Sequence, residues 1–122
     1  MKPLIFLLAI FIGAIGLSQF SYADDGEIYV VTAYCSCKKC CGPNAQGIFA
    51  NGERVSWGGV AADRSVPFGT KIRFAAPING RVIFTVKDRG GAIVGNRLDV
   101  WFPLHEQALQ FGVQRLRVTL YR

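Results

Sequence analysis

Two adjoining stretches, Val86-Lys87-Asp88-Arg89-Gly90-Gly91 and Asn96-Arg97-Leu98-Asp99-Val100-Trp101, decide how this 122-residue chain is read. Each sets an aspartate inside an apolar, β-prone run, and a third, Val60-Ala61-Ala62-Asp63, does the same. The chain holds only 8 acidic residues, and an unpaired carboxylate among apolar neighbours is costly. A shared functional site is the reading that justifies that cost.

Around these motifs the chain reads as short strands separated by Gly, Pro and Asn. Ile28 to Tyr34, Lys71 to Phe74, Arg81 to Val86, Arg97 to Phe102 and Leu116 to Tyr121 are rich in β-branched and aromatic residues, and Trp57 to Asp63 is a weaker sixth segment. Pro67-Phe68-Gly69 and Pro77-Ile78-Asn79-Gly80 are expected to be turns, and residues 42–52 form a Gly-rich loop. One short helix is expected after Pro103: Leu104, Ala108 and Phe111 repeat at one-face spacing, and Gly112 suits its end. Six short strands and one helix predict a mainly all-β domain closed into a small barrel, which leaves no exposed sheet edge.

The N-terminus reads separately. Lys2 precedes an apolar run from 4 to 17, and a polar stretch then ends in Ser21-Tyr22-Ala23. This pattern predicts a secretory signal peptide over residues 1–23, because the run is shorter than the roughly 20 residues that span a bilayer. The expected mature chain, 24–122, is one small domain with no stable membrane span. Loss of Lys2 takes the formal charge from +6 to +5, so the domain stays basic and suits anionic envelope polymers. Nucleic acid is a poor partner, since Lys and Arg are scattered and export removes the chain from it. The expected location is secreted, periplasmic or within the cell envelope.

All four cysteines fall in Cys35-Ser36-Cys37-Lys38-Lys39-Cys40-Cys41. In an exported chain this favours disulfides among Cys35, Cys37, Cys40 and Cys41, with crossed or nested pairings ahead of the very tight rings 35–37 and 40–41. A thiolate metal site is the competing reading, but no second half of a zinc-ribbon spacing occurs elsewhere, so no metal and no cofactor are expected. His105, the only histidine, is assigned an ordinary helix-edge role.

Taken in order, Tyr34-Cys35, Ala61-Ala62-Asp63, Val66-Pro67-Phe68-Gly69-Thr70, Asp88-Arg89-Gly90-Gly91-Ala92-Ile93 and Gly95-Asn96-Arg97-Leu98-Asp99-Val100 resemble the three-aspartate (3D) domain. That domain is the catalytic part of the membrane-bound lytic transglycosylase A family and is similar to the barrels of rare lipoprotein A and expansins. The resemblance runs from about Thr32 to Val118 and implies a six-stranded double-psi β-barrel whose open groove binds glycan, with the aspartates on its floor. It further implies an exported peptidoglycan-cleaving enzyme, a lytic transglycosylase acting on the MurNAc–GlcNAc bond.

The residue types suit that chemistry. Glycosidic cleavage needs a carboxylic acid to protonate the leaving oxygen, and hydrolases usually need a second carboxylate. A lytic transglycosylase uses the substrate's own C6 hydroxyl as nucleophile, so one carboxyl group serves as acid and then base. By resemblance that group is Asp99, whose apolar neighbours and the nearby Asp88 charge raise its pKa. Asp88 and Asp63 are the further catalytic candidates. Asp88 opens a Gly-Gly turn and is also suited to accept backbone N–H bonds, while Arg89, where the family commonly has Thr or Ser, is positioned to pair with it. Tyr34, Lys71, Gly90 and Gly91 are the candidate substrate-binding residues, with a charged rim as the alternative for Lys71 and the barrel core for Tyr34. Two rival functions share the fold: a non-catalytic, expansin-like glycan-binding or wall-loosening module, and an inverting hydrolase using Asp99 with Asp63 or Asp88 as base. A chain this short leaves the groove one-sided, so a partner protein or a homodimer is expected to supply the other wall.

Overall fold

Alternation of side chains along each strand builds the barrel. In the computed structural model, which describes residues 26–38 and 46–122, six strands and one helix follow in order: β1 Glu27–Tyr34, β2 Gly59–Ala61, β3 Lys71–Ile78, β4 Arg81–Asp88, β5 Arg97–Trp101, α1 His105–Phe111 and β6 Gln114–Tyr121. Tyr29 and Val31 of β1, Leu98 and Val100 of β5, Phe84 and Val86 of β4, and Ile72 and Phe74 of β3 enter one core, as period-2 patterning requires. Their intervening residues face outward.

The strands close in the order β1-β5-β2-β4-β3-β6. β1 and β5 are parallel, as are β2 and β4, and the remaining pairs are antiparallel. Closure leaves no free edge, as the strand count predicted. Phe84 forms edge-to-face contacts with both Phe74 and Trp57, so aromatic packing fills the barrel centre.

Several boundaries differ from the sequence reading. Pro77 and Ile78 belong to β3 rather than to a turn: the register against β4 shifts between Arg73 and Ile78, and such an irregularity tolerates a proline. The turn itself is Asn79-Gly80, both at positive φ, the two-residue form that matches strand twist. β2 is only three residues long. α1 begins at His105 with Leu104 as N-cap, so Pro103 lies ahead of the helix, and Leu104 is exposed. Ala108 and Phe111 do face the core, and Gly112 closes the helix with its N–H on the Ala108 carbonyl. The expected signal segment, residues 1–23, lies outside the described residues. No helix among the described residues is long and apolar enough to cross a membrane.

Candidate active site

The site forms on the outer face of the barrel, where register brings distant motifs to one level. Thr32 of β1 pairs with Asp99 of β5, Asp99 pairs across β2 with Ala61, and Ala61 pairs with Asp88 of β4. Thr32, Asp99, Ala61 and Asp88 thus form a row across four adjacent strands. Asp88 would point inward by strict alternation, since it lies two residues beyond the buried Val86. A bulge between β2 and β4 inserts one residue there and re-aims Asp88 outward.

Each aspartate has its own environment. Asp99 is half-buried and accepts a 2.9 Å hydrogen bond from Thr32 Oγ1. Burial pushes its carboxyl above the usual aspartate range and the Asp88 charge adds to this, against opposing effects of Thr32 and Arg97. Asp88 accepts the Tyr34 hydroxyl on Oδ2, and the backbone N–H groups of Ala50 and Arg89 on Oδ1, each at 2.9 Å. Asp63 lies at the surface, accepting N–H bonds from Ser65 at 2.8 Å and Gly95 at 2.6 Å, which hold its carboxyl below the usual range.

Arg89 does not pair with the Asp88 carboxylate. Its guanidinium donates to the backbone carbonyls of Asp88 and Val66 and stacks over Phe68, 4.1 Å from the ring centroid, because these partners lie under the turn. Lys71 bonds Thr85 on the neighbouring strand, away from the aspartate row. Gly90 and Gly91 line a cavity of about 400 Å³ with Asp63, Arg64, Ile93 and Val94, beside the row.

The loop ahead of β2 builds one wall. Phe49 is buried against Trp101 edge-to-face and lies over Gly59, where a Cβ would come within 2.2 Å of its ring. This seat carries the Ala50 N–H to Asp88. Thr32, Phe49 and Gly59 escaped the sequence reading. Thr32 lies one pleat from Tyr34 and is recoverable from strand alternation, whereas Phe49 has no local signal.

The cysteine-rich turn is described only in part, and Cys40 and Cys41 lie outside the described residues. Cys35 and Cys37 are not bonded to one another: their sulfurs are 2.9 Å apart, against about 2.05 Å in a disulfide. His105 Nδ1 lies 3.5 Å from Cys35 Sγ and 3.3 Å from Cys37 Sγ, so the histidine assigned to the helix edge meets the turn.

With this geometry in place, comparison with known proteins is decisive: residues 58–122 match the model of the 3D domain. The chain belongs to the 3D domain family. The match takes in β2 to β6 and with them Asp63, Asp88 and Asp99. This 3D domain chain is similar to the "Putative cell wall shaping protein YabE" of Bacillus subtilis (strain 168), 30% identical over 105 residues, covering 82% of the chain and 24% of YabE. It is also similar to the solved structure of MltA from Escherichia coli, a lytic transglycosylase: 26% identity and a TM-score of 0.51 over 65% of the chain and 28% of MltA. A variant of the same Escherichia coli protein in an apo form, at 24% identity and a TM-score of 0.51 over 64% of the chain and 28% of that protein, shares the fold. The chain therefore spans about a quarter of the length of these relatives.

Proposed function

We propose that this 3D domain is an exported peptidoglycan-cleaving enzyme, a lytic transglycosylase in which Asp99 is the acid and then the base. The observation that carries the reading is the burial of Asp99, which raises its pKa against the opposing Thr32 hydrogen bond, the direction a general acid needs. In the proposed step the protonated Asp99 gives its proton to the glycosidic oxygen as the bond from that oxygen to C1 of the muramic acid breaks, the oxygen leaving as a hydroxyl on the neighbouring sugar. The resulting carboxylate then takes the proton of the C6 hydroxyl as that oxygen closes on C1, giving a 1,6-anhydro product. No second nucleophile is needed, which suits a site whose other carboxylates are engaged by donors: Asp88 by Tyr34 and two backbone N–H groups, and Asp63 by two.

In this reading Asp88 holds the loop and Tyr34 in place around Asp99, and Asp63 orders the flanking turn. The cavity along Gly90 and Gly91 is assigned in this reading to the glycan chain beyond the row. The likeness to MltA, a lytic transglycosylase, and to YabE, described as shaping the cell wall, supports the substrate class. An envelope location and removal of residues 1–23 belong to the same proposal.

The test is mass spectrometry of soluble products released from purified peptidoglycan, with Asp99→Asn as control. Anhydro-muropeptides from the wild type alone support the reading, with a rate loss of about 10²-fold or more in the variant. Full activity in Asp99→Asn overturns the assignment, reducing-end products indicate hydrolysis, and glycan pelleting without products indicates a binding module.

A further inference from the structure

The cluster of Cys35, Cys37 and His105 has no part in the proposed glycan chemistry. From its geometry we infer that Cys35, Cys37 and His105 form a binding site for a thiophilic divalent cation, with Zn²⁺ the best fit. The three donor atoms come from segments far apart in sequence. Cys35 and Cys37 follow directly on β1, whereas His105 is the first residue of α1. They are the described residues whose donor atoms converge closely enough to hold an ion, all lying within 4.8 Å of one another.

The dimensions fit zinc. The triangle with sides of 2.9, 3.5 and 3.3 Å has a circumscribed radius of about 1.9 Å, shorter than Zn–N bonds of about 2.0–2.1 Å and Zn–S bonds of about 2.3 Å. One ion set just off the plane of the three atoms reaches all of them. The two edges to nitrogen are close to the roughly 3.6 Å edge of an ideal tetrahedron, and the sulfur–sulfur edge opens by under about 1 Å to meet its ideal. Zinc's usual fourth ligand would complete the set.

The charge fits as well. Cys35 is 1% exposed, so an ion there must be neutralised locally. Two thiols that release their protons to solvent on binding supply two negative charges, and neutral imidazole completes the set without excess. Imidazole with thiolates selects zinc over magnesium or calcium, which prefer oxygen.

The ion would act as a clamp. Tyr34, which holds Asp88, immediately precedes Cys35, and Ser36 accepts a 2.7 Å hydrogen bond from Trp101 Nε1. Fastening this turn to α1 fixes the end of β1 that carries Tyr34.

The test uses the purified full chain, reduced and then titrated with Zn²⁺ alone, and in parallel with Co²⁺. The expected result is one Zn²⁺ per chain and a cobalt spectrum with thiolate charge-transfer absorption and the intense d–d bands of tetrahedral coordination. Cys37→Ser and His105→Gln should each weaken Zn²⁺ binding by more than the roughly 10- to 100-fold cost of losing an outer contact to a metal ligand. Should a variant fail to fold, peptide-resolved alkylation of the wild type decides: Zn²⁺ should shield Cys35 and Cys37. Affinity unchanged by His105→Gln, alkylation unaffected by Zn²⁺, or isolated protein with no metal and these two cysteines in disulfides would each overturn the site.

Discussion

Asp88 and Asp99 share one register partner, Ala61, which pairs with Asp99 across β5 and with Asp88 across β4. Two strand spacings of about 4.8 Å put their Cα atoms roughly 10 Å apart. At that distance their charges couple weakly, in keeping with burial as the first cause of the raised Asp99 pKa and Asp88 as a lesser one. Asp99 is thus tuned by its own surroundings more than by its neighbour.

That tuning has a measurable cost. Asp99 binds its proton more tightly folded than unfolded, so it favours the folded state while protonated in both, and this contribution is lost as pH rises through the folded pKa. Asp99→Asn should therefore be more stable than wild type at neutral pH, with the gain vanishing below the ordinary aspartate pKa of about 3.9. Urea midpoints of the two proteins at neutral and acid pH check this.

Thr32→Val should separate positioning from folding. The substitution keeps the shape of a branched side chain on β1 and removes the 2.9 Å bond that stabilises the Asp99 carboxylate. The Asp99 pKa then rises further, and the alkaline limb of the pH–rate profile should move to higher pH. A pH profile of muropeptide release reads the shift, while thermal unfolding should change by no more than about 1–2 kcal/mol.

Much of the fold is legible in the sequence because β1, β3, β4, β5 and β6 each fall in an apolar, β-prone run, and alternate residues of these runs enter the core. The barrel and the three aspartates follow from this and from motif order. What could not be read is non-local. The outward aim of Asp88 depends on a bulge against β2, and alternation alone would send it inward after Val86. The partner of Cys35 and Cys37 lies some 70 residues away at His105, beyond any spacing rule. Pro77 in β3 was hidden because a proline reads as a turn unless the register irregularity that accommodates it is known.

Gly59→Ala tests the wall of the site. The added methyl would lie 2.2 Å from the Phe49 ring, which is itself packed on Trp101 and has little room to yield. Overpacking of this kind costs about 1–3 kcal/mol. Displacing Phe49 also moves the Ala50 N–H off Asp88, so activity should fall more than stability does. Thermal unfolding and muropeptide release measured together distinguish this from a general loss of folding.

Asp63 should show the opposite pH signature to Asp99. Its Oδ1 accepts the Ser65 N–H and its Oδ2 the Gly95 N–H, so it ties the turn after β2 to the turn before β5 only while ionised. Because these bonds depress its folded pKa, its contribution is complete above the unfolded value of about 3.9 and is lost as pH falls through the folded one. Asp63→Asn turns an amide N–H₂ toward one of two donors that need an acceptor, so that contribution should be lost at neutral pH as well. The variant should therefore lose stability near pH 7 and show a shallower decline on acidification. Urea midpoints that fall in parallel for wild type and variant across about pH 2 to 5 would remove Asp63 from this role, whereas convergence toward the acid end would establish it.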